Sequence, residues 1–364
     1  MLKSFKFLAL RSLKRCGLFE LSANSEWRNR RLLILCYHGV AIEDESAWRP
    51  ELYIRQERLQ QRLQLLKDRR CSVLRLNDAL ERLSSNRLPP RSVAITFDDG
   101  GYDFYKQAYP LLKHYGFPVT VYQTTYYSVH RHPVFHLICS YLLWKRRGEV
   151  IRVTPPLGLP QELDLRTEAS RERWVAELVS LADRDQLSAQ QRDELAGKLA
   201  AALGIDYDRL LSQRILQLMR PEELQELSAE GVDFQLHTHR HRSPMEAALF
   251  RKEIRENRAW LEKWTGMAAT HFCYPSGVYE AEFLPWLVEE HVASATTCEP
   301  GLASTQSNPL VLPRFVDTGL QPQLVFEGWL AGVTPWLPHR PGRRGRFSVD
   351  NVPPSGAKSK KSLD

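Results

Sequence analysis

Two adjacent carboxylates follow a short apolar run in the first third of the chain. Asp98 and Asp99 come directly after residues 93–97, which are rich in β-branched and aromatic side chains, and two glycines, Gly100 and Gly101, come next. Such a run predicts a buried strand, and catalytic groups of α/β folds gather where strands meet their C-terminal loops. Neighbouring acids repel each other unless a positive group lies beside them, and a metal ion commonly supplies that charge. We therefore expect chemistry at this point.

A second polar segment, residues 231–241, begins as a strand and ends in histidines. His237 and His241 stand four residues apart, so their imidazoles can converge on one ion if the chain turns helically after the strand, and His239 then points elsewhere. One carboxylate and two histidines, with coordination positions open for water, form the ligand set of a hydrolytic or oxidative divalent-metal centre. The alternative is a solvated histidine loop and a pair of aspartates that cap a helix.

These segments resemble the motifs of one family. Residues 96–100 (TFDDG) and 237–241 (HTHRH) resemble the first two motifs of the polysaccharide deacetylases. Residues 35–40 (LCYHGV) look like the opening strand of that family, residues 272–277 (FCYPSG) resemble its third motif in bacterial biosynthetic members, and residues 309–315 (PLVLPRF) look like its closing strand. The resemblance implies an α/β fold, a distorted (β/α) barrel that uses a divalent metal to hydrolyse N-acetyl, or sometimes O-acetyl, groups of sugars.

The resemblance also implies roles for individual residues. Asp98 corresponds to the general base, and Asp99, His237 and His241 correspond to the metal ligands. The implied metal is most readily zinc, with cobalt, nickel and manganese as alternatives. This division of labour is chemically consistent, because a metal acidifies its water and polarises a carbonyl while a carboxylate held off the metal accepts the proton.

The third motif implies the substrate side of the site. Tyr274, Pro275 and Ser276 correspond to residues that face the substrate, and the backbone N–H at Ser276 corresponds to the donor that stabilises the oxyanion. Thr238 is expected to fix the histidine loop through its hydroxyl group.

The chain departs from better-known deacetylases at the start of this third motif. Cys273 occupies the position where those relatives carry an arginine that pairs with the base. A carboxylate base in a cleft needs a positive neighbour to stay ionised near neutral pH, so another cation of the chain is expected to replace the missing arginine. Arg314, in the predicted closing strand, is the candidate for this partner. The alternative is that Arg314 is a surface residue.

A second departure concerns the general acid that protonates the departing amine. Many relatives use a histidine in a Leu-x-His context, whereas the only histidine here after residue 291 is His339, in a Pro- and Arg-rich tail. His38 ends the first predicted strand and therefore reaches the same mouth of the barrel as the other strand ends. His38 is our candidate acid, with a structural histidine as the alternative, and His271 is the next candidate.

Composition and charge limit the remaining possibilities. The chain has 364 residues and a net charge of +7, and the basic residues concentrate at both ends, with eight Lys or Arg against two acids in residues 1–31 and seven against two in residues 335–364. The catalytic part is therefore net acidic, which argues against a nucleic-acid partner. The six cysteines form no Cys-x-x-Cys pair, which favours a reducing compartment.

The sequence divides into an N-terminal segment, a catalytic domain with an insertion, and a C-terminal tail. Residues 1–31 predict a basic amphipathic segment that lies on a membrane surface or packs on the barrel, and its apolar run is too short for a signal peptide. Residues 32–334 predict one catalytic domain, interrupted at about residues 130–220 by a helical insertion that serves as a lid or as outer packing. Residues 335–364 predict a disordered basic tail. These features favour a cytoplasmic location or the inner face of the membrane.

The sequence thus predicts a metal-dependent hydrolase that acts on carbon–nitrogen amide bonds. Its expected partner is an N-acetylated oligosaccharide, polysaccharide or lipid-linked sugar, in exopolysaccharide or glycolipid metabolism. The alternatives are a deformylase, an O-acetyl esterase, or a sugar-binding barrel without activity.

Overall fold

The computed structural model describes residues 2–152 and 162–337, with side chains from residue 6 onward. The described residues form sixteen α-helices and twelve strands. The strands are β1 Leu33–Tyr37, β2 Gly39–Val40, β3 Tyr53–Ile54, β4 Ser72–Leu74, β5 Ser92–Phe97, β6 Thr120–Gln123, β7 Val150–Arg152, β8 Glu162–Asp164, β9 Asp233–Leu236, β10 His271–Cys273, β11 Ser294–Thr296 and β12 Phe315–Val316.

The helices surround these strands and fill most of the connections. They are α1 Leu2–Arg15, α2 Leu18–Ala23, α3 Glu26–Asn29, α4 Glu45–Trp48, α5 Gln56–Asp68, α6 Leu76–Ser84, α7 Tyr109–Tyr115, α8 Tyr126–His130, α9 Phe135–Lys145, α10 Glu168–Arg184, α11 Ala189–Ala202, α12 Tyr207–Ser212, α13 Pro221–Ala229, α14 Ala247–Thr265, α15 Phe283–Glu289 and α16 Gln323–Ala331. A π-helical turn at Phe104–Ala108 precedes α7.

Eight parallel strands form one curled sheet. The order along the sheet is β11-β10-β9-β6-β5-β1-β12, and β4 also pairs with β5. A bridge joins Thr296 of β11 to Leu312, in the segment that leads into β12, and so brings the two ends of this order together. The predicted (β/α) barrel is confirmed, and because all its strands are parallel, their C-terminal ends open at one mouth.

The closing strand is shorter than the sequence suggests. Residues 309–315 were expected to form it, but Pro309–Val311 is a 3-10 turn and only Phe315–Val316 pairs with β1. The physical reason is that Pro309 and Pro313 have no N–H to donate to a ladder.

The helical insertion has a hydrophobic core of its own. Helices α9 to α12 enclose buried side chains that include Phe135, Leu142, Leu178 and Leu199. The insertion also contains an antiparallel hairpin of β7 and β8, which the sequence analysis did not predict. Residues 153–161, between the two strands of the hairpin, lie outside the described residues.

The N-terminal helices pack on the barrel. Leu10 of α1 is fully buried in a cluster with Phe19 and Ala331, and the Arg28 guanidinium is buried, where it donates to the carbonyls of Leu330, Arg31 and Ser92. Residues 338–364, which hold most of the expected tail and His339, lie outside the described residues. Among residues 2–152 and 162–337, no helix has the length and apolarity that crossing a membrane requires.

Candidate active site

A cavity of about 780 Å³ opens at the mouth of the barrel. The ends of β1, β5 and β9 contribute His38, Asp98, Asp99, His237 and His241 to its lining. The structure therefore brings together the residues that the sequence analysis assigned to the base, the metal ligands and the acid. Their roles remain predictions.

Asp98 forms a two-point ion pair with Arg314. Arg314 Nη1 lies 2.7 Å from Asp98 Oδ1, Arg314 Nη2 lies 2.7 Å from Asp98 Oδ2, and both side chains are almost completely buried. The guanidinium also donates to the Thr297 carbonyl at 2.9 Å and to Thr96 Oγ1 at 3.2 Å. Arg314 is therefore a fully engaged interior residue and not a surface one.

This pair keeps Asp98 ionised in an apolar setting. Burial by itself raises the pKa of the Asp98 carboxyl, but the charge and hydrogen bonds of Arg314 outweigh burial and hold that pKa well below its ordinary value. The side chain is thus a carboxylate at neutral pH, which a general base requires.

Two thiols complete the surroundings of this carboxylate. Cys36 Sγ lies 3.5 Å and Cys273 Sγ 3.4 Å from Asp98 Oδ2. Burial raises the pKa of the Cys273 thiol well above its usual range, so it stays protonated and can donate. A small thiol at position 273 leaves room for the guanidinium of Arg314, which directly precedes β12, and Arg314 Nη2 lies 3.1 Å from Cys273 Sγ.

Asp99, His237 and His241 converge on one point. His237 Nε2 and His241 Nε2 each lie 3.2 Å from Asp99 Oδ1. Asp99 Oδ1 is buried, yet no hydrogen bond of good geometry reaches it from any described residue. Three donors of a tetrahedral zinc site at ordinary bond lengths would lie about 3.4 Å apart. The spacing and the unsatisfied oxygen both fit a divalent metal ion held by these three residues.

Hydrogen bonds hold the first of these histidines in place. His237 Nδ1 lies 2.8 Å from the Cys273 carbonyl, which leaves Nε2 free to face an ion. The His237 N–H donates to Asn257 Oδ1 at 2.9 Å, and Asn257 Nδ2 donates to the Gln123 carbonyl and to Thr125 Oγ1. Helix α14, which carries Asn257, thus positions the metal-facing ring.

The histidine loop is a bend and not the helical turn that the sequence analysis considered. Thr238 and His241 adopt left-handed conformations, with φ of 61° and 55°. Thr238 Oγ1 accepts from the Arg242 N–H at 3.0 Å, so its hydroxyl fixes the bend. His239 points away from the ion site, and its Nδ1 lies 2.8 Å from Thr125 Oγ1.

The glycine after the two aspartates is required by the packing. Gly100 has φ of 77°, and a Cβ placed there would lie 1.8 Å from Gln123 Oε1. Asp99 itself adopts a left-handed φ of 69°, an uncommon conformation for a residue with a side chain. The tight turn aims Asp98 and Asp99 in different directions, as their separate expected roles require.

His38 lies beside the base, whereas His271 does not. His38 Nε2 is 3.8 Å from Asp98 Oδ2, and its side chain is 19% exposed at the cavity. His271 is buried, and its Nδ1 pairs with Ser294 Oγ at 2.8 Å, outside the set of residues that line the cavity. Of the two candidate acids within the described residues, only His38 can meet a substrate.

Only the last residues of the third motif (272–277) line the cavity. Ser276, with φ of 57°, and Gly277 line the cavity. Tyr274 and Pro275 are buried behind them, and the Tyr274 hydroxyl donates to the Leu310 carbonyl at 2.8 Å. Of the three residues expected on the substrate side, only Ser276 lines the cavity, because the ring of Tyr274 and Pro275 pack into the core. The substrate-side role of Ser276 stays a prediction.

The structure adds lining residues that the sequence analysis missed. Asp103 Oδ2 accepts from the Val40 N–H at 2.5 Å, and burial, with Glu45 and Asp99 nearby, raises the pKa of Asp103 to about 7. In the sequence, Asp103 could have been found because it follows Asp98 by five residues, close after the glycine pair. Arg49 also lines the cavity, and nothing in its local sequence indicates this position.

Comparisons with known proteins agree on one family. The family model described as polysaccharide deacetylase matches residues 85–163 and 188–291, about half of the chain. The Bacillus subtilis (strain 168) protein YxkH, which carries the name of a polysaccharide deacetylase, is 30% identical over 103 residues, or 28% of this chain and 35% of that protein. The chain thus matches about a third of the length of that curated relative.

Solved structures show the same fold. The Streptococcus pyogenes deacetylase PplD, solved in complex with acetate, superposes with a TM-score of 0.53 at 20% identity, covering 80% of this chain and 93% of that one. A polysaccharide deacetylase from Bacillus cereus gives a TM-score of 0.50 at 14% identity, covering 83% of this chain and 69% of that one. At these identities the likeness concerns the barrel architecture alone.

Proposed function

Because the chain belongs to the polysaccharide deacetylase family, whose members are hydrolases of amide bonds in carbohydrates, we propose that it removes the N-acetyl group from an N-acetylated sugar in a metal-dependent reaction. One observation carries the proposal. Asp98 is held in an ion pair with Arg314, while the neighbouring Asp99 shares a separate cluster with His237 and His241. This difference in surroundings supports the assignment of Asp98 as the base and of Asp99 as a metal ligand.

The metal would be held by Asp99, His237 and His241. A divalent ion, when bound, supplies an acidified water and polarises the amide carbonyl. Two imidazole nitrogens and one carboxylate suit zinc, and cobalt, nickel or manganese accept the same donors. We propose zinc as the native ion.

The remaining steps belong to residues of this chain. Asp98 takes the proton of the attacking water, and Arg314 keeps Asp98 ionised and oriented. The backbone N–H of Ser276 stabilises the oxyanion as the carbonyl carbon becomes tetrahedral. His38, whose Nε2 lies 3.8 Å from Asp98, gives a proton to the departing amine.

The proposed partner is an N-acetylated oligosaccharide or polysaccharide, or a lipid-linked sugar, in exopolysaccharide or glycolipid assembly. The proposed location is the cytoplasm or the inner face of the membrane. Acetate release from N-acetylglucosamine oligomers by metal-loaded enzyme, absent from Asp98→Asn, tests the proposal.

We propose that the N-terminal helix contacts a membrane surface. Phe7 and Leu8 of α1 are 42% and 64% exposed, and Arg11 and Arg15 lie near them. Apolar and basic side chains on one exposed helix face suit an anionic bilayer surface. Co-sedimentation with anionic liposomes should be lost when Phe7 and Leu8 are replaced by Ser. Binding that persists in this variant contradicts the contact.

A further inference from the structure

Most charged groups around the cavity have partners within the protein. Asp98 pairs with Arg314, and Asp99 Oδ1 lies between two imidazoles. Arg240 also lines the cavity, but Glu253 and Glu256 neutralise its guanidinium, the latter at 2.6 Å. These charged groups are neutralised by neighbours within the protein, so they attract a charged ligand only weakly.

Arg49 is different. It follows α4 and lines the same cavity, and its side chain is partly buried. Its guanidinium makes no ion pair or hydrogen bond to any residue among 2–152 and 162–337. It lies 4.9 Å from the ring of Trp48, and its charge adds to burial and to His241 in lowering the pKa of His136 to about 4. Glu51, the nearest acid along the chain, also lines the cavity, but its carboxylate does not come within 4 Å of the Arg49 guanidinium.

The other acidic side chain on this part of the wall is already occupied. Asp103 accepts the Val40 N–H, and burial raises the pKa of Asp103 to about 7, which weakens it as a counter-charge. A partly desolvated cation without a partner is unfavourable unless an anion joins it. A guanidinium presents parallel N–H donors that match the two oxygens of a phosphate or carboxylate.

We propose that Arg49 binds an oxyanion carried by the N-acetylated sugar itself. The shared chemistry is a phosphate or a carboxylate close to the acetamido group, so the preferred substrate is an anionic sugar and not a neutral glucosamine polymer. The helical insertion supports this placement, since His136 in the first turn of α9 lines the same cavity and offers a further ring nitrogen. This inference rests on the proposed deacetylase function for its substrate class.

Binding can be separated from turnover. Metal-free Asp98→Asn would be titrated calorimetrically with N-acetylglucosamine 1-phosphate, with N-acetylmuramic acid, and with the neutral methyl glycoside of N-acetylglucosamine. The absence of metal removes direct phosphate coordination as an explanation. The two anionic sugars distinguish a phosphate from a carboxylate as the group recognised.

We expect at least one anionic sugar to bind about tenfold more tightly than the neutral glycoside, a ratio typical of one charged hydrogen-bonded pair. Arg49→Ala should bring that ratio close to one, and Arg49→Lys should keep part of it. Arg184→Ala removes the same charge from the exposed surface of α10 and should leave the ratio unchanged. Equal affinity for all three sugars, or a ratio that survives Arg49→Ala, overturns the inference.

Acetate release tells the two proposals apart. If wild-type, metal-loaded enzyme releases acetate equally well from neutral and anionic sugars, the deacetylase proposal stands and the Arg49 inference fails. If no sugar releases acetate but the anionic one binds through Arg49, the deacetylase proposal fails and the anion site stands.

Discussion

Replacing Arg314 by Met should destabilise the protein by about 3 kcal/mol, because it leaves the Asp98 carboxylate buried without its counter-charge. The pair has two contacts of 2.7 Å, and its partners are 0% and 2% exposed, so the small values of surface ion pairs do not apply. Removing one partner of a buried ion pair lowers the free energy of unfolding by about 3–5 kcal/mol. The thiols of Cys36 and Cys273 still donate to Asp98 in the variant, so we expect a loss at the lower end of this range.

The same substitution should change the pH dependence of activity. In the wild type, Arg314 holds the pKa of Asp98 well below its ordinary value against the opposing effect of burial. A lowered pKa stabilises the fold above pH of about 4, the value of an unfolded aspartate, and this stabilisation is lost as the pH falls through the folded pKa. Without Arg314 the largest effect that opposes burial is gone, so the pKa of Asp98 rises. The acid limb of kcat/KM should therefore move to higher pH while metal content stays the same.

Three variants make the test specific. Urea unfolding at neutral pH measures the free energy of unfolding of each variant. The double variant Arg314→Met/Asp98→Asn should lose about 2 kcal/mol less of this free energy than the two single variants lose together. Arg62 forms a second buried ion pair with Asp317, at 2.9 Å and away from the cavity. Arg62→Met should lose stability without moving the acid limb. Additive stabilities, or an acid limb that stays in place in Arg314→Met, would refute the reasoning.

Three other residues carry further predictions. Asn257→Ala should weaken metal binding by about 10–100-fold in chelator competition, because Asn257 orients the metal-facing His237 through its backbone N–H; unchanged affinity contradicts this. His38→Gln should lower kcat, whereas full activity at every pH excludes His38 as the acid. For Asp103 the folded pKa, about 7, exceeds the unfolded value, so the metal-free fold loses stability as pH rises from about 4 to about 7. This loss is at most about 4 kcal/mol in the wild type, and Asp103→Asn should not show it in urea unfolding.

The sequence carried enough information for the strand-end chemistry. A β-branched run followed by Asp98 and Asp99 has to end at the barrel mouth if the strands are parallel, and the histidine segment has to end at the same mouth. Arg314 could be singled out because a buried carboxylate needs a counter-charge once Cys273 replaces the expected arginine.

The rest depended on tertiary contacts that local patterns do not encode. The helical turn considered for the histidine loop became a bend because Thr238 and His241 adopt left-handed conformations. The ring of Tyr274 turned to the core, where the Leu310 carbonyl accepts its hydroxyl hydrogen. Arg49 lines the cavity because α4, which precedes it, packs against β3 and α9, a placement that no spacing in its own segment could indicate.

The central claim is that Asp98 acts as the base beside a metal held by Asp99, His237 and His241. The most direct test strips wild type and Asp98→Asn of metal, reloads each with zinc, cobalt or nickel, and measures acetate release from N-acetylglucosamine oligomers and an anionic N-acetylated sugar. We predict metal-restored release by the wild type and none by Asp98→Asn, although the variant binds metal with the same stoichiometry. Release that persists in metal-loaded Asp98→Asn, or no release by the wild type despite full metal binding, contradicts the account.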